Sequence, residues 1–229
     1  MSEISELEKK LKVTFKDKNL LQTALTHRSY LNENPSWHLP QNERLEFLGD
    51  AVLELAVTRY LYLHFENPEG DLTSYRAALV NSIMLADIAS GLQVNDFLLL
   101  SRGEAKDVGK ARMYILANTM EAIIGAIYLD QGYDTVEKFI ERVVISRMKE
   151  VLEEKLYRDA KSYFQEKAQE MAGITPTYQV LKEWGPDHAK NFVVGVYIGE
   201  ELVAEGEGSS KQTAQQDAAE KGLKAKNWE

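Results

Sequence analysis

The chain has 229 residues, of which 44% are hydrophobic and 28% charged, a composition typical of a globular protein with one large or two modest domains. The net charge of −9 argues against a generally basic nucleic-acid surface, and the absence of cysteine excludes disulfides, thiolate metal sites and cysteine nucleophiles. No run of about 18 apolar residues is present and the first ten residues are too charged for a signal peptide, so we expect a cytoplasmic protein without membrane contact.

The first 155 residues are predicted to be almost wholly helical, because apolar side chains recur at intervals of three and four. The segments with this period are residues 20–31, 42–55, 51–65, 74–92, 114–132 and 135–156. Breaks are predicted at residues 32–41, 66–71 and 101–112, which are rich in Pro, Gly or Asn. This half of the chain is therefore expected to form a helical bundle.

The period changes after about residue 172. Three short segments rich in β-branched and aromatic residues predict an antiparallel meander, at residues 175–186, 190–199 and 201–208. Helical patterns flank this meander at residues 159–172 and 209–226. The expected fold is therefore mainly α, with an all-helical domain at 1–156 and a small α-β-β-β-α domain at 157–229, since a three-stranded sheet needs a helical layer over one face.

The segment 42–55 carries three carboxylates in an otherwise core-forming helix. At about 100° per residue, Glu43, Glu46 and Asp50 lie on one side of that helix. The helix at 114–132 places Glu121 and Asn118 on one face as well. Two such helices could converge on a hard dication such as Mg²⁺, which prefers oxygen ligands. The alternative is that the stripe is a solvated helix face, with Glu43 near a helix N-terminus where the dipole favours a negative charge.

Several motifs resemble the ribonuclease III family in content and in order. They are NERLEFLGDAVLEL (42–55), ALTHRSY (24–30), EGDLTSYRAALVN (69–81) and ANTMEAIIGAIYLDQG (117–132). The C-terminal part is similar to the double-stranded-RNA-binding domain of that family. The resemblance implies Mg²⁺-dependent hydrolysis of double-stranded RNA, with Mn²⁺ as a substitute, in the processing of rRNA and mRNA precursors. The implied products have 5′-phosphate and 3′-hydroxyl ends and short 3′ overhangs, cut by a homodimer.

The resemblance also implies roles for the acidic residues. The metal ligands match Glu46, Asp50 and Glu121, and of these Asp50 and Glu121 are the catalytic residues. Asn118 occupies the fourth ligand position, where the family typically has Asp, and Glu43 and Glu69 are expected near the site. Because Asn118 offers one neutral oxygen in place of a carboxylate, a second interpretation is a double-stranded-RNA-binding protein that cleaves weakly or not at all.

Basic residues close to the Asn118 helix could bring RNA phosphates towards the metal. They lie in the loop 101–112 and comprise Arg102, Lys106, Lys110 and Arg112. The alternative for this loop is ordinary solvation. In the homodimer that the resemblance implies, Phe47 is a candidate for the contact between subunits, and its alternative is an ordinary core residue.

The second domain has its own candidate RNA contacts. Ser210 and Lys211 stand at a predicted helix start, where free backbone amides and the helix dipole attract phosphate. By resemblance, His188 enters the RNA minor groove from a loop, and Gln165 and Glu166 contact a neighbouring minor groove. The alternatives are a turn residue for His188 and a surface lysine for Lys211.

Overall fold

The computed structural model describes residues 3–157, 159–186 and 190–228. Its backbone contacts divide the chain into two compact units, Met1–Tyr157 and Arg158–Glu229. No helix in the described ranges is long and apolar enough to cross a membrane.

The first unit is helical. Its helices are α1 (Glu3–Leu11), α2 (Lys18–Leu25), α3 (Arg28–Glu33), α4 (Glu43–His64), α5 (Glu69–Val80), α6 (Ser82–Gly91), α7 (Lys110–Gln131), α8 (Tyr133–Val143) and α9 (Met148–Glu153), with single 3₁₀ turns at Val94–Phe97, Glu104–Lys106 and Ile145–Arg147. The two longest, α4 and α7, pack against each other along much of their length. Leu53 of α4 and Met120 and Ile123 of α7 are fully buried in the same hydrophobic cluster, so both helices contribute to the core of this unit.

Three of the predicted helices are each divided into two, and α1 was not predicted. The pattern at 74–92 continues through Asn81, whose extended backbone ends α5 and whose side chain accepts from the Met84 N–H at 2.9 Å to begin α6. The pattern at 20–31 is interrupted at Thr26, where residues of a distant segment add backbone bonds from Leu99 N to Leu25 O and from His27 N to Leu99 O. The pattern at 135–156 is broken by the 3₁₀ turn Ile145–Arg147.

The second unit has the predicted order α-β-β-β-α, which confirms the expected fold class. It consists of α10 (Ala160–Ala172), β1 (Thr177–Trp184), β2 (Asn191–Ile198), β3 (Glu201–Gly208) and α11 (Lys211–Lys226). The strands are antiparallel in the order β1-β2-β3, with Val180 opposite Val194 and Phe192 opposite Gly208. Val196 of β2 is buried with Phe164 of α10 and Ala218 of α11, and Phe192 and Val194 of the same strand are buried with Ala214 of α11. The two helices therefore cover one face of the sheet.

Candidate active site

The first two turns of α4 carry the acidic stripe that the sequence predicts. Glu46 is half-buried, whereas Glu43 and Asp50 are exposed. Glu43 accepts a hydrogen bond from Gln41 Nε2 at 2.9 Å, and its carboxylate lies 3.7 Å from Arg28 Nη1. The stripe is therefore a boundary between core and solvent, and only Glu43 of its three carboxylates is paired with a basic side chain in the described residues.

Two glycines allow α4 and α7 to approach until their backbones touch. A Cβ added to Gly49 would lie 1.8 Å from the carbonyl oxygen of Glu121, and one added to Gly125 would lie 2.3 Å from the carbonyl oxygen of Leu45. Both distances are far below van der Waals contact, so neither position accepts a side chain without separating the helices. The role of Gly49 in this contact was not predicted from the sequence.

This close approach brings side chains of α7 to the acidic stripe. The side chain of Asn118 donates a hydrogen bond to Glu46. Burial, followed by the charges of Asp50 and Glu46, raises the pKa of Glu121 to about 7. Burial also raises the pKa of Glu46, and the charges of Glu43 and Asp50 raise it further. The pKa of Asp50 is raised by burial and by the charge of Glu54. Glu46, Asp50 and Glu121 are below called the carboxylate cluster.

The carboxylate cluster concentrates acidic groups, and no Lys or Arg of the described residues forms an ion pair with them. Burial and the two other carboxylates account for the raised pKa of Glu121, and no Lys or Arg of the described residues contributes to it. The side chains are not already arranged as a closed metal cage, because no group of three His, Cys, Asp or Glu among the described residues could hold a metal ion as placed. The cluster with Asn118 is thus an open set of oxygen donors that suits a hard cation.

Glu69 begins α5 and is exposed. It borders a cavity of about 420 Å³ together with Thr58, Tyr62 and Arg76. Arg76 donates from Nη1 to Thr58 Oγ1 at 3.0 Å, which fixes one wall of this cavity. Glu69 therefore lies against the later turns of α4, and its predicted place near the metal ligands stays a prediction.

The basic segment 101–112 is not one loop, which corrects the sequence interpretation. Gly109, at φ +83°, precedes the start of α7, so Lys110 and Arg112 belong to the first turn of that helix. The Arg112 guanidinium is turned back onto the segment, where it donates to the backbone carbonyls of Glu104 (2.8 Å), Ala105 (3.0 Å) and Asp107 (3.3 Å). Arg102 and Lys106 are exposed in the turns before α7. Arg112 thus shapes the segment, and the other three basic residues face solvent.

In the second unit, Ser210 is the N-cap of α11, as its position predicts. Its hydroxyl accepts from the Thr213 N–H at 3.1 Å, and the exposed Lys211 lies with Nζ 5.8 Å from the centre of the Phe192 ring. Gln165 and Glu166 are exposed on α10. His188 lies outside the described residues.

Phe47 is 81% exposed, so its alternative as an ordinary core residue is wrong. Leu55 and Tyr62 of the same helix are 57% and 77% exposed. At 3.6 residues per turn, the three side chains fall within an arc of about 80° on α4. This apolar strip, defined by Phe47, Leu55 and Tyr62, runs beside the acidic stripe.

A helical unit with an open carboxylate cluster, followed by an α-β-β-β-α unit, defines a nuclease domain joined to an RNA-binding module, and the comparisons with known proteins agree. Residues 17–148 match the family model described as Ribonuclease-III-like, and residues 160–226 match the double-stranded RNA binding motif. The chain therefore belongs to the ribonuclease III family of double-stranded-RNA-specific endoribonucleases, which generally depend on a divalent metal ion.

The relatives match over almost the whole chain. A protein named Ribonuclease 3 from Enterococcus faecalis is 43% identical over 222 residues, 96% of this chain and 96% of that protein. One of the same name from Nitratiruptor sp. is 41% identical over 225 residues, 98% and 97% of the two chains. A solved nuclease domain of ribonuclease III from Campylobacter jejuni, in a study of a region involved in its dimer formation, is 46% identical with a TM-score of 0.57, covering 62% of this chain and 96% of that one.

Proposed function

We propose that this chain hydrolyses phosphodiester bonds of double-stranded RNA with Mg²⁺ bound by Glu46, Asp50, Asn118 and Glu121. The observation that carries the proposal is the burial of Glu121 beside Asp50 and Glu46, with a pKa raised to about 7. Such an arrangement costs free energy while it lacks a compensating cation. A divalent cation supplies that compensation, and the oxygen donors suit Mg²⁺, with Mn²⁺ as a substitute.

Each side chain of the site has a separate role in this proposal. A bound divalent cation lowers the pKa of a coordinated water and neutralises charge that develops on the phosphate. Asp50 and Glu121 would hold that cation from two different helices, and Glu46 would be fixed by the hydrogen bond from Asn118. Asn118 would offer the cation its neutral carbonyl oxygen. No side-chain nucleophile is needed, which agrees with the absence of cysteine.

RNA reaches the site, in this proposal, through the second unit and the basic segment. Lys211 and the N-terminus of α11 would hold a phosphate, while Gln165, Glu166 and His188 would meet the minor groove. A-form RNA exposes 2′-hydroxyls across a wide, shallow minor groove, so the selection is for duplex shape more than for sequence. Lys106 and Lys110 would hold phosphates near the carboxylate cluster, with Arg102 beside them.

The active form is a homodimer that contacts itself through the apolar strip. Large exposed apolar side chains along one helix mark a surface that a partner covers. Twofold symmetry would present two copies of the strip to each other and place two carboxylate clusters on one duplex. Cuts on opposite strands would then be staggered, with short 3′ overhangs. The Phe47→Glu variant should be a monomer when its mass is measured by light scattering. A mass equal to that of the parent dimer would exclude the strip as the interface.

A second candidate function is favoured by Asn118 alone. With an amide at this position, the site carries one negative charge fewer than four carboxylates would supply. If metal affinity then falls below the working concentration, the chain binds duplex RNA without cutting it and serves as an RNA-binding protein. Changes at metal ligands and their supports alter affinity or activity by roughly 10- to 100-fold, which is enough to separate the two functions.

Cleavage of an end-labelled RNA duplex, with and without Mg²⁺, tests both candidates. The enzyme interpretation expects cuts only with the metal, with 5′-phosphate and 3′-hydroxyl ends. Glu121→Gln should abolish the cuts and retain RNA binding, while Asn118→Asp should raise the rate and lower the Mg²⁺ requirement. Binding without any cleavage by the parent protein, together with cleavage by the Asn118→Asp variant, would establish the second candidate. Cleavage by Glu121→Gln at the parent rate would exclude the carboxylate cluster.

A further inference from the structure

The loop that leads into α4, residues 34–41, carries an aromatic cluster that the proposed function does not use. The Trp37 ring packs edge-on against Tyr30 of α3, with ring centres 5.4 Å apart and planes at 89°. The exposed His38 ring lies 5.4 Å from Trp37, tilted by 46°. Trp37 is therefore held firmly on its inner side, and it supports a second ring that faces solvent.

Two polar atoms of the same loop are buried and find no hydrogen-bond partner among the residues that the structure describes. They are Trp37 Nε1, a donor, and Gln41 Oε1, an acceptor. Gln41 cannot gain a partner by rotating its amide, because its nitrogen already donates to the Glu43 carboxylate at 2.9 Å and the rotated oxygen would be repelled. Buried polar groups are nearly always paired in folded proteins, so an unpaired donor and an unpaired acceptor in one loop need an explanation.

The end of this loop is fixed beside the carboxylate cluster. The next residue, Asn42, is buried, and its backbone N–H donates to Thr26 O at 2.9 Å while its side chain donates to Ala24 O at 3.2 Å. Glu43 follows directly, and its charge acts on Glu46. Whatever binds at residues 34–41 therefore lies next to the reacting end of α4.

Basic residues stand at the starts of the two helices that flank the loop, α3 and α4. Arg28 and Arg44 are exposed at the starts of α3 and α4. The first residues of the basic segment also lie against α3, where Ser101 N donates to Ser29 Oγ at 3.0 Å and Arg102 N donates to Glu33 Oε2 at 3.1 Å. Aromatic rings set among cationic side chains are the combination that binds unpaired nucleotides, because every base offers a face for stacking and a phosphate for the charge.

We propose that His38, supported by Trp37, stacks on an unpaired nucleobase of the RNA, such as a bulged nucleotide close to the cut. A base inside a duplex is already stacked on its neighbours, whereas an unpaired base is free to stack on a side chain. Small movements of the loop on binding would let the base or its ribose pair with Trp37 Nε1 and Gln41 Oε1. The inference rests on the proposed function, and it gives the enzyme a preference among duplexes that the shape-selecting second unit does not supply.

The test uses the full-length protein without divalent metal, so that RNA is bound and not cut. The probes are two RNA duplexes of equal length, one with a single bulged 2-aminopurine and one with 2-aminopurine paired to uracil. Stacking should quench the bulged probe, and His38→Ala should remove the quenching and weaken binding of that probe by about 5- to 10-fold while leaving the paired probe unchanged. His64→Ala is the matched control, since His64 is also exposed and stacked on an aromatic ring, Tyr60, at the other end of α4.

Trp37→Phe separates binding from structural support. It keeps a ring against Tyr30 and removes the unpaired N–H together with part of the indole ring, so the melting temperature of the free protein should change little while the bulged probe binds more weakly. A lower melting temperature with equal losses on both probes would mean that Trp37 is only structural, and it would overturn the proposal.

The remaining outcomes separate this inference from the proposed function. If His38→Ala binds both probes as the parent does, or weakens both equally, the stacking site is wrong even when the parent cleaves duplex RNA with Mg²⁺. If the parent quenches the bulged probe through His38 but never cleaves, the stacking site stands and the enzyme interpretation fails.

Discussion

Removal of the charge on Glu121 should stabilise the metal-free protein at neutral and alkaline pH, because this carboxylate is the group whose ionised form the fold disfavours. Its pKa is about 7 against 4.5 for an ordinary glutamate. One pKa unit corresponds to 1.36 kcal/mol, so the full difference would amount to about 3 kcal/mol. Since Glu121 is only partly buried, solvent screening reduces this to about 1 to 2 kcal/mol.

The direction with pH follows from proton binding. Between pH 4.5 and 7 the folded protein holds the Glu121 proton and the unfolded chain has lost it, so the free energy of unfolding falls as the pH rises through this window. Glu46 and Asp50 act in the same direction, since burial raises the pKa of both. The Asp130 carboxylate, whose pKa is lowered by backbone N–H donors, acts in the opposite direction, and its contribution is lost only as the pH falls below the ordinary range of aspartate.

Urea unfolding in a metal chelator at several pH values between 5 and 8.5 measures the effect. The parent should lose about 1 to 2 kcal/mol across this range through Glu121, and Glu121→Gln should lose correspondingly less. Glu141→Gln is the matched control, since it removes an exposed carboxylate of the same unit. Added Mg²⁺ should stabilise the parent more than Glu121→Gln, as any ligand of the folded state does. Parallel pH curves for the parent and Glu121→Gln would refute the reasoning.

Three further substitutions test the surroundings of the site and the second unit. Gly49→Ala should lower stability by about 3 kcal/mol or more and reduce cleavage, because its Cβ would lie 1.8 Å from a carbonyl oxygen of α7; thermal unfolding at an unchanged melting temperature would contradict this. Glu8→Gln should cost about 2 kcal/mol in urea, because this buried carboxylate accepts from Phe15 N at 2.7 Å and pairs with Lys18. Tyr178→Phe should leave stability unchanged or higher, because the Tyr178 hydroxyl is buried and has no hydrogen-bond partner in the described part of the chain; a drop of more than about 1 kcal/mol would reveal a partner.

Helical periodicity predicted the acidic stripe because α4 is one uninterrupted helix. Angles between Glu43, Glu46 and Asp50 depend only on the residue spacing, and nothing breaks the helix between them. The approach of Glu121 to the stripe depends on contact between two helix backbones at Gly49 and Gly125. Residue spacing within one helix does not predict which other helix packs against it. A glycine inside each of two apolar helices was the available signal, since glycine in a helix interior is costly unless packing requires it.

Local signals also explain the helix boundaries that were wrong. The side chain of Asn81 caps the next helix. An Asn-Ser pair within a helical pattern is a sequence signal for the start of a new helix. The break at Thr26 is different, because it depends on backbone bonds to Leu99, more than seventy residues away. The exposure of Phe47 could not be predicted from the sequence either. Apolar periodicity is the same for a residue that packs in the core and for one that contacts a partner.

The position of the carboxylates in α4 follows from a helix that has two apolar surfaces. One faces the core through residues such as Leu53 and Ala56, and the other is the exposed strip with Phe47 and Tyr62. An acidic stripe between them stays at the edge of both surfaces, where water or a cation can reach it. Only Glu121 approaches from the buried side, on α7, and its pKa accordingly rises to about 7. The charge that a core-forming helix would normally avoid is thus kept at an edge of the helix that solvent and a cation can reach.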